Sequence, residues 1–170
     1  MCKDLQGGIC KLWLLPFIKY SRSEIKVLNN NLVLFPDSDY YLFEVFGEVS
    51  INQTMQENEG GKFYNFSFDL KLDDYFNIAN FLHQDFRVVA LDRNGKTRMF
   101  GLYNGIKCES ISFNTGSNKT DFNGFVLKFE GQEIKEAPFL ESINDLETNF
   151  ILQEDGDFLL QEDLGRFIVN

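Results

Sequence analysis

Apolar and polar residues alternate with a period of two along much of this chain, which is the pattern of β-strands that bury one face. The clearest case is the segment 63–72, in which every second residue from Tyr64 to Leu72 is aromatic or aliphatic. The chain contains 19 phenylalanines, and aromatic side chains favour strands because they pack well on a pleated surface. The pattern therefore predicts a strand that turns an aromatic face toward a core.

A second alternating segment precedes this strand and is joined to it by polar residues. It covers residues 40–51 and alternates from Glu44 onward, whereas residues 52–62 (NQTMQENEGGK) hold few large apolar side chains. Two strand patterns joined by a polar segment are typical of a hairpin. We therefore predict a long hairpin arm over 44–72, with 52–62 as its polar tip.

Further strand patterns lie on both sides of this arm. Two of them are separated by Asn94-Gly95, and an Asn-Gly pair between apolar runs is a strong hairpin signal. Another pair surrounds an asparagine turn before the arm. The predicted strands cover 9–15, two segments within 25–35, 86–91, 97–102, 106–113 and 124–134.

One segment, 73–84, changes to the period of a helix. Its apolar stripe consists of Tyr75, Ile78, Ala79 and Leu82. Asp73 is a suitable N-cap, so we predict one α-helix of about three turns. The predicted fold class is mainly β: an antiparallel sandwich or barrel with one flanking α-helix, the long hairpin arm and a C-terminal strand extension.

The C-terminal region differs from the rest of the chain in charge. Residues 141–170 hold eight acids and one base, whereas residues 1–140 hold 18 acids and 15 bases. A near-repeat lies in the acidic region, FILQEDGD from Phe150 followed by FLLQEDLG from Phe158. We therefore predict two units, a β-domain over 1–140 and an acidic extension over 141–170.

Net charge and cysteine count limit the classes of function. A formal net charge of −10 argues against binding of nucleic acid through phosphate contacts. We therefore expect no sequence-specific nucleic-acid partner. Three cysteines at unrelated spacings and a single histidine favour a reduced, intracellular chain without a disulfide framework or a zinc site. We expect no signal peptide and no membrane insertion, because no apolar stretch has the length of a transmembrane helix.

Candidate catalytic and metal-binding residues are few. His83 lies near the predicted end of the helix, and Asp73-Asp74 lie at its start, where favourable interactions with the helix dipole explain both. The sequence LQEDGD has only Asp155 and Asp157 at the spacing of a calcium loop. We therefore predict no enzyme activity, no catalytic residue, no bound metal and no cofactor.

Two segments instead indicate assembly, namely the polar tip of the arm and the acidic extension. An isolated strand pair is marginally stable in water, and it gains stability by adding to a sheet edge or by lying across a neighbour. The predicted contacts between subunits are Gln53, Thr54, Met55, Gln56, Glu57, Asn58, Glu59, Phe150, Leu152, Phe158, Leu160 and Phe167.

Three short motifs resemble those of small virion proteins from tailed phages of Bacteroidetes hosts, including crAss-like phages. The first is GGICKLWL at 7–14, preceded by Cys2, in which Cys10 stands where the family has a lysine. The second is GFVLKFEGQE at 124–133, which leads to Ala-Pro-Phe at 137–139. The third is the LQEDG sequence of the acidic extension.

This resemblance implies a tail-tube-like fold and a structural role. Subunits of that family join their sheets into a ring, of six- or twelve-fold symmetry, whose lumen passes DNA. The resemblance implies that residues 52–62 stack against an adjacent ring or subunit. Further copies of the chain and adjacent tail, portal or connector proteins are then its partners, and the protein is made in the host cytoplasm and located in the virion.

Two other functions stay open from the residues alone. A non-enzymatic β-sandwich binding module on a phage fibre or a cell surface would present Trp13, Tyr40, Tyr41 or Tyr64 in a shallow groove. An enzyme with an all-β core would need a positioned set of reactive groups, for which His83 is the first candidate.

Overall fold

A computed structural model describes residues 7–21, 23–36, 39–44, 49–72, 78–117 and 121–140. These residues form eleven β-strands and one turn of 3-10 helix, so the protein is mainly β as the alternating pattern predicts. The strands are β1 (Ile9–Pro16), β2 (Lys26–Leu28), β3 (Asn31–Leu34), β4 (Tyr41–Glu44), β5 (Asn52–Asn58), β6 (Gly61–Leu72), β7 (Asp85–Asp92), β8 (Thr97–Phe100), β9 (Ile106–Asn114), β10 (Gly124–Glu133) and β11 (Phe139–Leu140).

The strands belong to one mixed sheet, which is open within the described residues. Its order is β2-β3-β11-β8-β7-β9-β10-β6-β5, and β1 pairs with both β7 and β4. All neighbours are antiparallel except β11, which runs parallel to β3 because it returns from a distant part of the chain rather than through a hairpin. The predicted purely antiparallel sheet is corrected at this point, and a sandwich or barrel is not confirmed.

The centre of the sheet, β1 and β7, is buried on both faces. Leu12 to Leu15 have no exposed surface, and no residue from Phe86 to Ala90 is more than 3% exposed. One face contributes to a core with β6, β9 and β10, and the other packs against side chains that include Leu32 of β3. Strands covered on both sides read as continuous apolar runs, which explains why these two segments do not alternate.

The sheet is curved. β8 and β9 follow one another along the same edge of β7, opposite β1, so only β10 separates β6 from this edge, a distance of about 10 Å in a flat sheet. The rings of Phe66 in β6 and Phe100 in β8 are nevertheless 5.5 Å apart in an edge contact. Phe86 in β7 similarly lies 6.1 Å from Phe129 in β10. The aromatic face of β6 and β10 therefore folds over β7 and β8 and shares one core with them.

A hairpin is present within the predicted arm, but its outgoing strand is β5, which was predicted as part of the polar tip, and not residues 40–51. β5 is paired with β6 along its whole length, and only Glu59 and Gly60 form the turn. Alternate side chains from Phe66 to Leu72 are buried, as predicted. Residues 52–58, predicted as part of a polar tip, are also strand, because backbone pairing does not require apolar side chains.

The outgoing strand of the arm differs from its predicted extent of 40–51. Residues 41–44 form β4, which pairs with β1 rather than with β6. Residues 45–48 lie outside the described ranges, and residues 49–51 are not in a strand. The carbonyl oxygen of Val49 accepts a hydrogen bond from the N–H of Ile9 at 3.3 Å. This bond holds the chain beside β1 on the way from β4 to β5.

The α-helix predicted over 73–84 is wrong in the part that the structure describes. Ile78–Phe81 forms a 3-10 turn, and residues 73–77, with the predicted N-cap, lie outside the described ranges. The described side chains of the predicted stripe do not face the core: Ala79 is exposed and Leu82 is 40% exposed, whereas the neighbouring Phe81 is 2% exposed.

Sheet pairing explains why the turn does not continue as a helix. The N–H of His83 donates to the carbonyl oxygen of Cys108 in β9 at 2.9 Å, and the N–H of Cys108 donates to Gln84 at 3.1 Å. His83 has a φ of 64°, a left-handed conformation that a right-handed helix cannot contain. Tertiary pairing has thus overridden the helical period of the sequence.

Two predicted hairpin turns are confirmed. Gly95 between β7 and β8 has a φ of 76°, and Asp92 Oδ1 accepts the N–H groups of Asn94 at 2.9 Å and Lys96 at 2.8 Å. Between β2 and β3, the turn residues Asn29-Asn30 have φ values of 48° and 63°. A type I′ turn requires positive φ at both central residues, and asparagine adopts it readily.

Candidate assembly surface

β5 is an edge strand with no neighbour on its outer side in the described part of the chain. Six of its seven residues are exposed, and only Gln53 is half-buried. Met55, the large apolar side chain of the strand, is 59% exposed. Both faces and one edge of β5 are therefore open.

Alternate residues of β5 direct their backbone groups to the open edge. Because the turn has two residues, Asn58 and Gly61 form the first hydrogen-bonded pair of the hairpin, and such pairs recur at every second residue. The N–H and C=O groups of Gln53, Met55 and Glu57 therefore point away from β6. A further strand can add to the sheet through these groups.

β5 lacks most of the devices that protect sheet edges. Proteins block edges with lysine, proline, bulges or very short strands. β5 contains no lysine or proline, its pairing with β6 has no bulge, and Glu57 is its single charged residue. The opposite edge strand, β2, has three residues and carries Lys26. β5 is thus the edge better suited to strand addition.

A cavity of about 410 Å³, named the β5–β8 cavity here, opens between β5 and the β7–β8 hairpin. It is lined by Ile9, Ile51, Gln53, Ala90, Asp92, Lys96, Arg98 and Phe100. The Oε1 atom of Gln53 is buried and has no hydrogen-bond partner among the described residues. Four of the eight lining residues are apolar and four are polar or charged, so the lining is mixed.

The polar lining of the β5–β8 cavity carries two cations and one carboxylate. Arg98 Nη1 lies 3.3 Å from Glu136 Oε1, and its guanidinium lies 4.1 Å from the ring centre of Phe139. Asp92 Oδ1 is already bonded to backbone N–H groups of its own turn. Lys96 is exposed and forms no ion pair within the described residues. The lining therefore has cationic charge available to an acidic occupant.

Arg87 is a buried charged residue that the strand pattern does not predict. It is 1% exposed, and it donates from Nε to Leu102 O at 2.9 Å and from Nη2 to Ile18 O at 2.7 Å. Its guanidinium lies 4.3 Å from the ring centre of Phe17 and 4.8 Å from that of Tyr20. Burial lowers the pKa of Arg87, but a guanidinium stays charged at any physiological pH. Arg87 therefore ties two loops to β7.

Glu133 is the second buried charged residue and has a related role. It is 2% exposed, and its Oε1 accepts the N–H groups of Tyr103 and Asn104, both at 2.7 Å. Burial raises the pKa of the Glu133 carboxyl, while these two N–H groups act in the opposite direction. Glu133 thus caps the turn between β8 and β9. In the sequence, the only sign of these two buried charged residues is an arginine, Arg87, inside the apolar run of β7.

The structure gives no sign of reactivity at His83 or Cys108. His83 is exposed and ends the 3-10 turn. Burial, with a smaller effect of Glu109, raises the pKa of the Cys108 thiol to about 11, so the thiol form predominates at neutral pH. Within the described ranges, no group of three or more His, Cys, Asp or Glu is arranged to hold a metal ion. Those ranges also contain no helix with the length and apolar character to span a membrane.

The predicted contact residues fall into two sets. Gln53 to Glu59 lie together along β5 and its turn, where Gly60 N–H donates to Asn58 Oδ1 at 2.9 Å. Phe150, Leu152, Phe158, Leu160 and Phe167 lie in 141–170, outside the described residues. Of the aromatic residues considered for a binding groove, Trp13 has no exposed surface and Tyr40, Tyr41 and Tyr64 are half-buried.

Comparison with known proteins identifies no relative: no family model, no curated protein and no solved structure matches the chain. The motifs at 7–14 and 124–133 lie largely in β1 and β10.

Proposed function

We propose that this chain is a structural virion protein that assembles into a homo-oligomeric ring in the tail or the portal–tail connector of a tailed phage. The observation that carries the assembly is the exposed, unprotected edge of β5. The placement in a phage rests on the motifs at 7–14, 124–133 and 137–139 and on LQEDG. Further copies and adjacent tail, portal or connector proteins are its partners, and DNA passes through the lumen.

We also propose that the curved sheet closes into a tail-tube-like barrel through residues 41–58. β4 pairs with β1 at the start of this segment, and β5 pairs with β6 at its end. The hydrogen bond from Ile9 N–H to Val49 O holds the middle of the segment against β1. A continuous strand here would join β1 to β6, which are already linked through β7, β9 and β10. The outer half of the β5–β6 hairpin then projects as the arm.

The acidic extension, 141–170, supplies a second contact in this proposal. Its side chains at Phe150, Leu152, Phe158, Leu160 and Phe167 form apolar strand patterns that favour burial against protein. Its Gln-Glu-Asp turns carry charges that are costly to bury. In a ring, the apolar side chains would pack on a neighbouring subunit and the acids would face water.

Substitutions at Met55 test the edge. Met55→Pro removes an N–H that points to the open edge, so it blocks strand addition while the pairing of β5 with β6 keeps its own hydrogen bonds. Met55→Ala is the matched control, because it removes the exposed side chain and keeps the N–H. We expect wild-type and Met55→Ala chains to form oligomers in size-exclusion chromatography with light scattering, and Met55→Pro to stay monomeric. Thermal unfolding checks that the proline variant is folded.

Two further measurements address the ring itself. Electron micrographs of the assembled protein should show closed rings, and deletion of 150–170 should reduce the assembled fraction while circular dichroism of the truncated chain stays that of a β-protein. A wild-type chain that is strictly monomeric at high concentration and absent from purified virions would contradict the proposal.

A non-enzymatic binding module on a phage fibre or a cell surface is the second candidate. The β5–β8 cavity favours it, since its size and mixed lining suit a small ligand. The buried position of Trp13 counts against the aromatic groove that this function would use. Binding of a monomeric wild-type chain on a glycan array, with loss of binding in Arg98→Ala, would favour this function over a ring.

A further inference from the structure

We infer that, in the single unassembled chain, residues 150–157 of the acidic extension dock into the β5–β8 cavity. This inference goes beyond the proposed ring and does not depend on it, since it concerns contacts within one chain. Three features of the described residues support it: the chemistry of the cavity, the charge of its rim, and the point at which the chain leaves the sheet.

The cavity suits an occupant that has apolar side chains and also donates hydrogen bonds. Ile9, Ile51 and Phe100 provide the apolar part of the lining, while Gln53 Oε1 is a buried acceptor that no described residue bonds. An unsatisfied buried acceptor costs free energy, and a donor from an occupant would remove this cost. A peptide segment with consecutive apolar residues meets both needs, because its side chains fill the space and its backbone supplies N–H groups.

The described chain leaves the sheet beside this cavity. Leu140 pairs with Thr97 in β8, and the two residues that flank Thr97, Lys96 and Arg98, line the cavity. Nine residues separate Leu140 from Phe150, and the extended chain between them spans about 33 Å, which is ample for reaching the opening. A short tether gives an effective concentration on the order of millimolar. At low protein concentration, the chain's own segment is therefore favoured over that of a second copy.

Charge complementarity selects this segment. The rim offers Lys96, which forms no ion pair within the described residues, and Arg98, whose Nη1 already lies 3.3 Å from Glu136 Oε1. The lining carboxylate, Asp92, accepts N–H groups within its own turn. In the segment FILQEDGD, the apolar residues come first and three acids follow within the next five positions. With the apolar side chains inside the cavity, the acids lie at the rim, where Lys96 meets them.

The same cavity can connect docking to assembly. If copies exchange their extensions, the segment of one copy occupies the cavity of the next, which is domain swapping. The extension would then be held by its own chain before assembly and by a neighbour afterwards.

A disulfide in the full-length chain tests the docking. Ile51→Cys in the cavity lining, which keeps the Gln53 acceptor, is combined with Leu152→Cys in the extension, in a chain whose Cys2, Cys10 and Cys108 are replaced by alanine. Oxidation at low concentration should give a cross-linked monomer as the main product on a non-reducing gel. The matched control pairs Leu152→Cys with Phe113→Cys, because Phe113 in β9 is 58% exposed and does not line the cavity.

Charge reversal gives a second readout. Lys96→Glu should lower the yield of the cavity cross-link about threefold, as expected for the loss of an exposed ion pair, and Glu154→Lys in the same chain should restore it. Equal yields from the cavity pair and the control pair would overturn the inference. Cross-linked dimers alone would also overturn it, by placing the segment on a second copy. A cross-linked monomer from a chain that never oligomerises would support the docking and contradict the ring.

Discussion

β7 and β5 belong to the same sheet, yet their surroundings are opposite. β7 has neighbours along both edges and is covered on both faces, so the residues from Phe86 to Ala90 are at most 3% exposed. β5 has a neighbour on one edge within the described chain, and six of its seven residues are exposed. β5 is therefore held mainly by backbone pairing, whereas β7 is also held by side-chain burial on both faces.

This difference assigns stability and assembly to different strands. Substitutions in β7 should change the free energy of unfolding, because each side chain there excludes water from the core. Substitutions on the outer edge of β5 should leave stability nearly unchanged and affect only what the edge can bind. The two strands can thus be altered separately.

The largest contrast is expected between Phe86→Ala and Met55→Ala. Phe86 has no exposed surface and contacts Phe81 and Phe129, so its truncation should lower the free energy of unfolding by about 3–5 kcal/mol. Met55 is 59% exposed, and its truncation should change stability by less than about 0.5 kcal/mol. Urea denaturation measures both values. Similar losses in the two variants would mean that β5 is part of the stable core.

Arg87→Met should have the next largest effect. The substitution keeps an unbranched apolar stem and leaves the carbonyl groups of Leu102 and Ile18 without the donors they now have. We expect a loss of about 3 kcal/mol in urea denaturation. Arg87→Lys is the control, because lysine keeps the charge and lacks the fork that reaches both carbonyls. If the lysine variant were as stable as the wild type, charge rather than the two hydrogen bonds would be the important property.

The smallest effect is expected from Glu133→Gln, and it should depend on pH. Burial raises the pKa of Glu133 in the folded protein above its ordinary value of 4.5, so the folded state binds this proton more tightly than the unfolded state does. This tighter proton binding makes its full contribution to the free energy of unfolding below pH 4.5. The contribution is lost as the pH rises through the folded pKa. Glutamine lacks this titration and keeps an acceptor for the two backbone N–H groups.

The pH series therefore compares wild type with Glu133→Gln. The stability of the variant relative to the wild type should increase as the pH rises from 4.5 and become constant above the folded pKa. Thermal unfolding at intervals between about pH 4 and pH 8 measures this difference, and other titrating groups cancel because both chains contain them. A difference that does not vary with pH would show that Glu133 is not perturbed by burial.

The sequence was most informative where local chemistry determines the structure. The turns at Asn94-Gly95 and Asn29-Asn30 need residues that accept positive φ, and both hairpins are where the pattern predicts them. The buried face of β6 was read correctly because each alternate residue is strongly apolar. Residues 52–58 were less predictable, since a polar strand has no side-chain signature that separates it from a loop.

Features that depend on distant contacts could not be predicted in the same way. Residues 78–84 have helical spacing, but pairing with Cys108 in β9 ends the turn at His83. The position of Arg87 between two loops, and of Glu133 under the β8–β9 turn, also depends on chain segments far apart in sequence. The β5–β8 cavity is formed by strands from both halves of the chain, so no local motif marks it.

β11 has two residues, yet the sheet cannot be completed before this strand has been synthesised. It lies between β3 and β8, and in the described chain it alone joins the β2–β3 hairpin to the rest of the sheet. Phe139 N–H donates to Asn30 O at 2.8 Å to make this connection. During synthesis from the N-terminus, β3 must therefore wait for more than a hundred further residues before its partner strand emerges. The inner edge of β3 accordingly stays without its native partner until β11 is made, and pairing at this edge is a late step of folding.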